Sequence, residues 1–275
     1  MRKVNLLPVV LLSVASLLSA CDNSGLEKLK VGASPTPHAA ILESNIVKDY
    51  LVLKGYELEV IVYQDYVTPN KALNDGGIDA NYFQHTPYLL EEVATKGYNL
   101  GVACEVHYEP LNLYSKNKVE DFVGKTVSII NDKSNVERAL ALLKANNIIE
   151  GYDIANFNVS KPNDYVTGSK VTLECLDPGL LANKVNDDGI AVIPGNYALT
   201  AWGADKALQY KVLGESKEVA GQKANIIAAR KDDLQSPKIM ALVDALSQPA
   251  LENFIIENYG PTVVYSFKDC IQSAE

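Results

Sequence analysis

Positive charge is scarce in this chain. Its 275 residues carry 25 Lys and Arg against 34 Asp and Glu, a net charge of −9. Such an acidic surface repels phosphate backbones and anionic headgroups, which argues against a nucleic-acid partner. Histidine is scarcer still, with three residues, His38, His85 and His107. None sits beside another metal-type ligand at a usual spacing such as His-x-x-x-His, so no metal and no cofactor is predicted. The four cysteines match no zinc pattern either. With Cys21 set aside, Cys104, Cys175 and Cys270 are an odd set, read as buried apolar thiols with one disulfide left open among them. The nucleophile elbow Gly-x-Ser-x-Gly is missing. Val123-Gly124-Lys125-Thr126 ends like a phosphate-binding loop, but position 119 is Val where that loop needs Gly. Asp177-Pro178-Gly179 reads as a turn. Nothing here supports an enzyme. Past the first 25 residues no apolar run is long enough to cross a bilayer.

What is present begins at the N-terminus. Arg2 and Lys3 precede an apolar run over residues 6–18 that is too short to span a hydrocarbon core. It has the charge, length and small-residue ending of a secretory signal. Leu18-Ser19-Ala20-Cys21 reads as a lipobox, in which cleavage precedes a cysteine that carries diacylglycerol. Residues 1–20 are thus predicted to be a signal peptide and 21–28 a lipidated tether. The mature chain would face the periplasm or the cell exterior from a membrane anchor. Asp22 resembles the signal that keeps some Gram-negative lipoproteins on the inner membrane. Loss of Arg2 and Lys3 leaves 23 basic against 34 acidic residues, a net of −11.

The remaining 255 residues alternate in type. Strands are predicted at 29–33, 58–63, 78–83, 111–115, 125–130, 190–193 and 224–229. Helices are predicted at 39–53, 70–73, 87–95, 136–145, 242–246 and 251–259. Strand–helix–strand repetition predicts an α/β fold with a largely parallel sheet.

Seven segments, in order, carry a resemblance. They are Val31-Gly-Ala-Ser-Pro-Thr-Pro-His-Ala39, Asp65-Tyr-Val-Thr-Pro-Asn70, Asp79-Ala-Asn-Tyr-Phe-Gln-His-Thr-Pro-Tyr-Leu89, Glu109-Pro-Leu-Asn-Leu-Tyr-Ser-Lys116, Asn131-Asp132 with Asn135 and Arg138, Gly195-Asn-Tyr-Ala198, and Ala224-Asn-Ile-Ile227. Together they resemble the NlpA lipoprotein family of MetQ-type methionine-binding proteins of ABC importers. The resemblance implies a two-lobed periplasmic-binding-protein fold of type II-like form. The ligand cleft would lie between lobes joined by two crossover strands. Lobe 1 would be residues 29–112 and 228–275, and lobe 2 residues 113–227. It further implies a partner in the permease subunits, and methionine or a close analogue as ligand. Alternatives are another apolar amino acid, a methionine dipeptide, or a surface adhesin-type lipoprotein without transport. The chain departs from the family pattern at Lys133-Ser134, where Pro and Thr are frequent, and at Val136-Glu137.

The residues suit a zwitterion. Arg138 is expected in the first turn of a helix capped by Ser134 or Asn135, where its fork can grip a carboxylate. Alone, an arginine there is more often a solvated surface residue. Asn196 and Asn225 match asparagines that hold the polar end of the ligand. By position alone Asn196 reads as a turn residue, whereas Asn225 sits in an apolar run and needs a partner. Tyr66, Phe83, His85 and Tyr88 match the pocket for the apolar tail; a neutral His85 is expected to donate or accept one hydrogen bond. Core packing is the ordinary reading of such aromatics. Replacing Cys21 by Ser is expected to abolish incorporation of labelled fatty acid and shift the protein out of the membrane fraction. Unchanged labelling would refute the lipobox.

Overall fold

The computed structural model describes residues 25–117 and 119–271; the signal peptide, the lipobox and Cys21 lie outside them. In chain order the strands are β1 (Glu27–Ala33), β2 (Tyr56–Val62), β3 (Ala80–His85), β4 (Leu100–Tyr108), β5 (Asn112–Tyr114), β6 (Thr126–Ile130), β7 (Gly151–Tyr152), β8 (Val166–Thr167), β9 (Thr172–Leu176), β10 (Ile190–Ile193), β11 (Lys211–Gly214), β12 (Asn225–Arg230) and β13 (Val264–Asp269). The α-helices are α1 (Ala40–Leu42), α2 (Asn45–Leu53), α3 (Thr68–Asn74), α4 (Thr86–Lys96), α5 (Lys133–Ala145), α6 (Pro178–Asn186), α7 (Gly195–Tyr210), α8 (Lys217–Gly221), α9 (Pro237–Leu246) and α10 (Ala250–Tyr259).

Two sheets make two lobes. The first has the order β13-β4-β12-β3-β1-β2, the second β11-β5-β10-β6-β9, and β7 and β8 form a small ribbon. β1 pairs in parallel with β2 and β3, while β12 runs antiparallel between β3 and β4. In the second sheet β10, β6 and β9 are parallel, β5 runs against β10, and β11 pairs antiparallel with β5. The parallel strands are apolar on both faces because helices cover both sides. β10 shows this directly. Ile190 and Val192 join the core under α5, whereas Ala191 and Ile193 join the one under α6 and α7. In the first lobe Leu29, Val31, Tyr82 and Ile227 pack under α2 and α9; Ile78, Leu89, Leu100 and Ile226 form the opposite core.

Two segments pass between the sheets, residues 109–111 after β4 and 215–224 after β11. They are tied to each other, because the Glu215 amide donates to the Leu111 carbonyl (3.0 Å) and the Leu111 amide donates to Glu215 Oε2 (2.8 Å).

Several sequence expectations change. The helix predicted over 39–53 breaks at Ser44, whose side chain accepts from the Val47 amide and starts α2 anew. Asp177-Pro178-Gly179 is no free turn. Asp177 caps α6 by accepting from the Gly179 amide, with Pro178 in the first turn. The helix predicted from Val136 starts at Lys133 and is capped by Asp132 rather than by Ser134 or Asn135. Cys104 is buried, Cys175 and Cys270 are half-buried, and all three are free thiols.

Ile129 is fully buried between β6 and α5, whereas Leu53 is 83 % exposed at the end of α2. Ile129→Ala is expected to lower unfolding stability by about 2–5 kcal/mol through lost transfer energy and a cavity. Leu53→Ala should stay within about 0.5 kcal/mol. Equilibrium urea unfolding of the two variants checks the contrast.

Candidate functional site

The cleft between the sheets is narrow, a cavity of about 30 Å³. Tyr66, Phe83, His85, Tyr88, Arg138, Asn196 and Asn225 all line it. Residues from both lobes therefore converge on one place. Phe83 and His85 share a face of β3 because side chains alternate along a strand. His85 then caps α4, its Nδ1 accepting from the Tyr88 amide (3.2 Å), which turns Tyr88 toward the same cleft. Tyr66 packs against Phe83 and Tyr88 with ring centroids 5.8 and 5.9 Å apart. These rings form an apolar wall.

The polar end is more committed than its residue types suggest. Arg138 lies in the second turn of α5, not the first. Its Nε and Nη2 donate to the two oxygens of Glu215 at 3.0 and 2.6 Å, and Nη2 also reaches the Glu109 carbonyl at 3.2 Å. The fork expected to grip a ligand carboxylate with two parallel bonds thus already grips a protein carboxylate, and Nη1 is what remains. The α5 N-terminus likewise holds its own anion, since Asp132 accepts from the Asn135 amide (3.0 Å).

His85 also differs from expectation. With Nδ1 accepting from Tyr88, its Nε2–H donates to Asn135 Oδ1 (3.3 Å). Both ring nitrogens serve the protein, so the ring offers the cleft a surface rather than a hydrogen bond. Asn135 in turn donates through Nδ2 to Asp132 at 3.1 Å. Across the gap, the Tyr66 hydroxyl donates to Asn196 Oδ1 (2.8 Å), and the Tyr197 hydroxyl donates to the Gln64 carbonyl (3.3 Å).

Three residues that carried no predicted role sit behind these. His38 lies far in sequence from His107 and Glu109, which are two residues apart, and the fold brings one potential ligand atom of each within 4.8 Å of one another. Sequence spacing hides this grouping, because His38 meets the other two only in space. Each of the three atoms is already in use. His107 Nε2–H donates to Glu109 Oε1 (2.9 Å) and His38 Nε2–H donates to Asn225 Oδ1 (3.0 Å). The hydroxyls of Ser34 and Tyr82 donate to the two Nδ1 atoms. Glu109 could have been suspected from its Glu-Pro dipeptide at a lobe crossing, but nothing local marks His38.

Burial sets the charges here. It depresses His38 to about 4, helped by the neighbouring His107, and His107 to about 3. His85 falls to about 3 through burial and then the Arg138 charge. Burial raises Glu109 to about 7 against the pull of His38, Arg138 and the Asn196 amide.

Comparison with known proteins agrees with the architecture. The family described as NlpA lipoprotein matches residues 29–267. The chain belongs to the NlpA lipoprotein family. It is 35% identical to methionine-binding lipoprotein MetQ of Bacillus subtilis (strain 168), covering 94% of this chain and 97% of the relative. Membrane lipoprotein TpN32 of Treponema pallidum (strain Nichols) is 30% identical, over 87% and 88% of the two chains. Among solved structures, a nutrient binding protein from Burkholderia cenocepacia bound to methionine superposes with a TM-score of 0.75 at 30% identity, covering 86% of this chain and 99% of that one. An ABC transporter periplasmic substrate-binding protein from Coxiella burnetii gives 0.76 at 30% identity, over 86% and 100%. This NlpA-family protein is a membrane lipoprotein of a substrate-binding, non-enzymatic family.

The buried histidines dictate a pH dependence. His38, His85 and His107 bind protons more weakly folded than unfolded, so their stabilisation is complete above about 6.5 and is lost as the pH falls toward 3–4. Glu109 works in the opposite sense, and Asp132, Glu91 and Glu92, also raised by burial, work with it. The three large histidine shifts outweigh them. The melting temperature is expected to fall steadily between pH 6.5 and 4.5; a flat or rising profile in differential scanning fluorimetry would contradict the neutral assignment.

Proposed function

We propose that this lipoprotein captures L-methionine or a close analogue in the inter-lobe cleft and delivers it to the permease subunits of an ABC importer. The observation that carries the reading is the convergence of Tyr66, Phe83 and Tyr88 with Arg138 and two asparagine amides in one buried space. A thioether gains ~0.3–1.5 kcal/mol against an aromatic ring. Arg138 Nη1 and the Nδ2 groups of Asn196 and Asn225 make no hydrogen bond to other described residues, which suits them to a ligand carboxylate. The relatives named for methionine binding, and the relative solved with methionine bound, support the choice. ATP would be hydrolysed by a separate cytoplasmic subunit. The lobes, joined through residues 109–111 and 215–224, would close about a hinge when the ligand enters.

A longer ligand is the second reading. A groove of about 420 Å³ adjoins the cleft and shares Tyr66 and Asn196 with it. A methionine dipeptide would extend there.

Isothermal titration of the purified protein with L-methionine tests the function. Arg138→Ala is expected to cost ~2–5 kcal/mol of affinity, as for one partner of a buried charge pair. A circular-dichroism melt of the same variant checks folding, since Glu215 is left buried and unpaired. Undiminished affinity in a folded Arg138→Ala protein would overturn the role of the arginine. Absence of any thermal shift with amino acids or methionine dipeptides would favour an adhesin-type lipoprotein.

A further inference from the structure

We infer that Glu109 receives the ligand's ammonium group, so that the cleft selects a free amine and its capture expels a proton from the protein. This rests on the reading of the cleft as an amino-acid site.

The argument is one of acceptors. A zwitterion needs donors for its carboxylate and an acceptor for its ammonium. Arg138 is donor only. Asn196 Oδ1 takes the Tyr66 hydroxyl, and Asn225 Oδ1 takes His38 Nε2–H. Asn135 Oδ1 takes His85 Nε2–H. Gln84 Oε1 takes the Asn70 amide, and its own amide donates to Asn70 and Asn81. Every neutral side-chain amide oxygen on the cleft thus already accepts one bond, and none of them carries the charge that an ammonium favours. Glu109 is the one acidic side chain among the described lining residues. It accepts from His107 Nε2–H at Oε1 and from the Asn196 amide at the start of α7. A carboxylate offers about four lone-pair sites, so capacity remains. Gly195 lets it lie there, since a Cβ at that position would fall 2.3 Å from Glu109 Oε2.

The groups that face Glu109 leave it the one that changes charge near neutrality. His107 on β4 and His38 before α1 stay neutral. The phenols of Tyr66, Tyr82, Tyr114 and Tyr259, from the loop before α3, β3, β5 and α10, are all raised by burial and stay protonated. Arg138 on α5 is ion-paired with Glu215. Glu109 itself, pushed up to about 7 by burial, is half protonated at neutral pH. An ammonium beside it favours the anion. Below pH 7 the proton must leave before the ligand can pair, and affinity falls up to about tenfold per pH unit.

Isothermal titration of the purified protein with L-methionine, in buffers of different ionisation enthalpy, reads the proton directly. Release should approach one proton per ligand at pH 6 and drop to roughly a tenth at pH 8. Glu109→Gln should abolish that release and weaken methionine binding at pH 8 by at least ~30-fold. It should also erase the preference for methionine over its 2-hydroxy-acid analogue. Methionine binding by the wild type with no proton release at pH 6 would overturn the inference while leaving the proposed function intact. So would a Glu109→Gln protein that keeps both affinity and amine preference. A wild type that binds no methionine would remove the functional reading, and this inference with it.

Discussion

The Arg138–Glu215 ion pair holds the centre of this molecule together. Its side chains are 8 % and 3 % exposed, and two bonds run in parallel across it. Isolated buried charges are costly, so each requires the other. The pair does more than neutralise itself. Arg138 also reaches the Glu109 carbonyl, and Glu215 also accepts from the Leu111 amide. One guanidinium on α5 is therefore locked to both segments that pass between the sheets. Any ligand that touches Arg138 touches the hinge.

Behind the pair lies a layer of buried polar groups that folding could tolerate only by bonding them to one another. Two histidines serve as neutral connectors, each taking a hydroxyl at Nδ1 and donating at Nε2. Their donors orient Glu109 and Asn225 toward the cleft. The network explains why a carboxylate can sit there at all, since His107, the Asn196 amide and the nearby Arg138 charge offset part of its desolvation. The result is one cation and one acid facing a single small space with an aromatic wall, an arrangement complementary to a dipolar ion.

Apolar contact spans the gap between lobes, with Leu199 of α7 packed in the first lobe's core and the Tyr66 and Tyr197 rings 5.2 Å apart. Single hydrogen bonds also span it, and they include His85 to Asn135, Tyr66 to Asn196, Tyr197 to the Gln64 carbonyl and the Ser134 amide to Glu91. Bonds of this kind contribute about 1 kcal/mol each, because water replaces them on opening.

Local physics in the sequence determined much of this protein. Two-sided apolar runs such as 190–193 are legible as buried strands, and the segment motifs locate seven of the residues that line the cleft. Other elements were hidden for physical reasons. β4 carries Glu105, His107 and Cys104 among its apolar residues, so its pattern lacks a strand period. The helix α7 opens on Pro194-Gly195 and is interrupted at Gly203, whose φ of +73° breaks the helical repeat. What only the tertiary structure decided is the use of each polar atom. Glu215 lies 77 residues from Arg138, and His38 lies 187 from Asn225. Side-chain type is encoded locally, but which lone pair or N–H remains for a ligand depends on partners that strand register and lobe packing bring into reach.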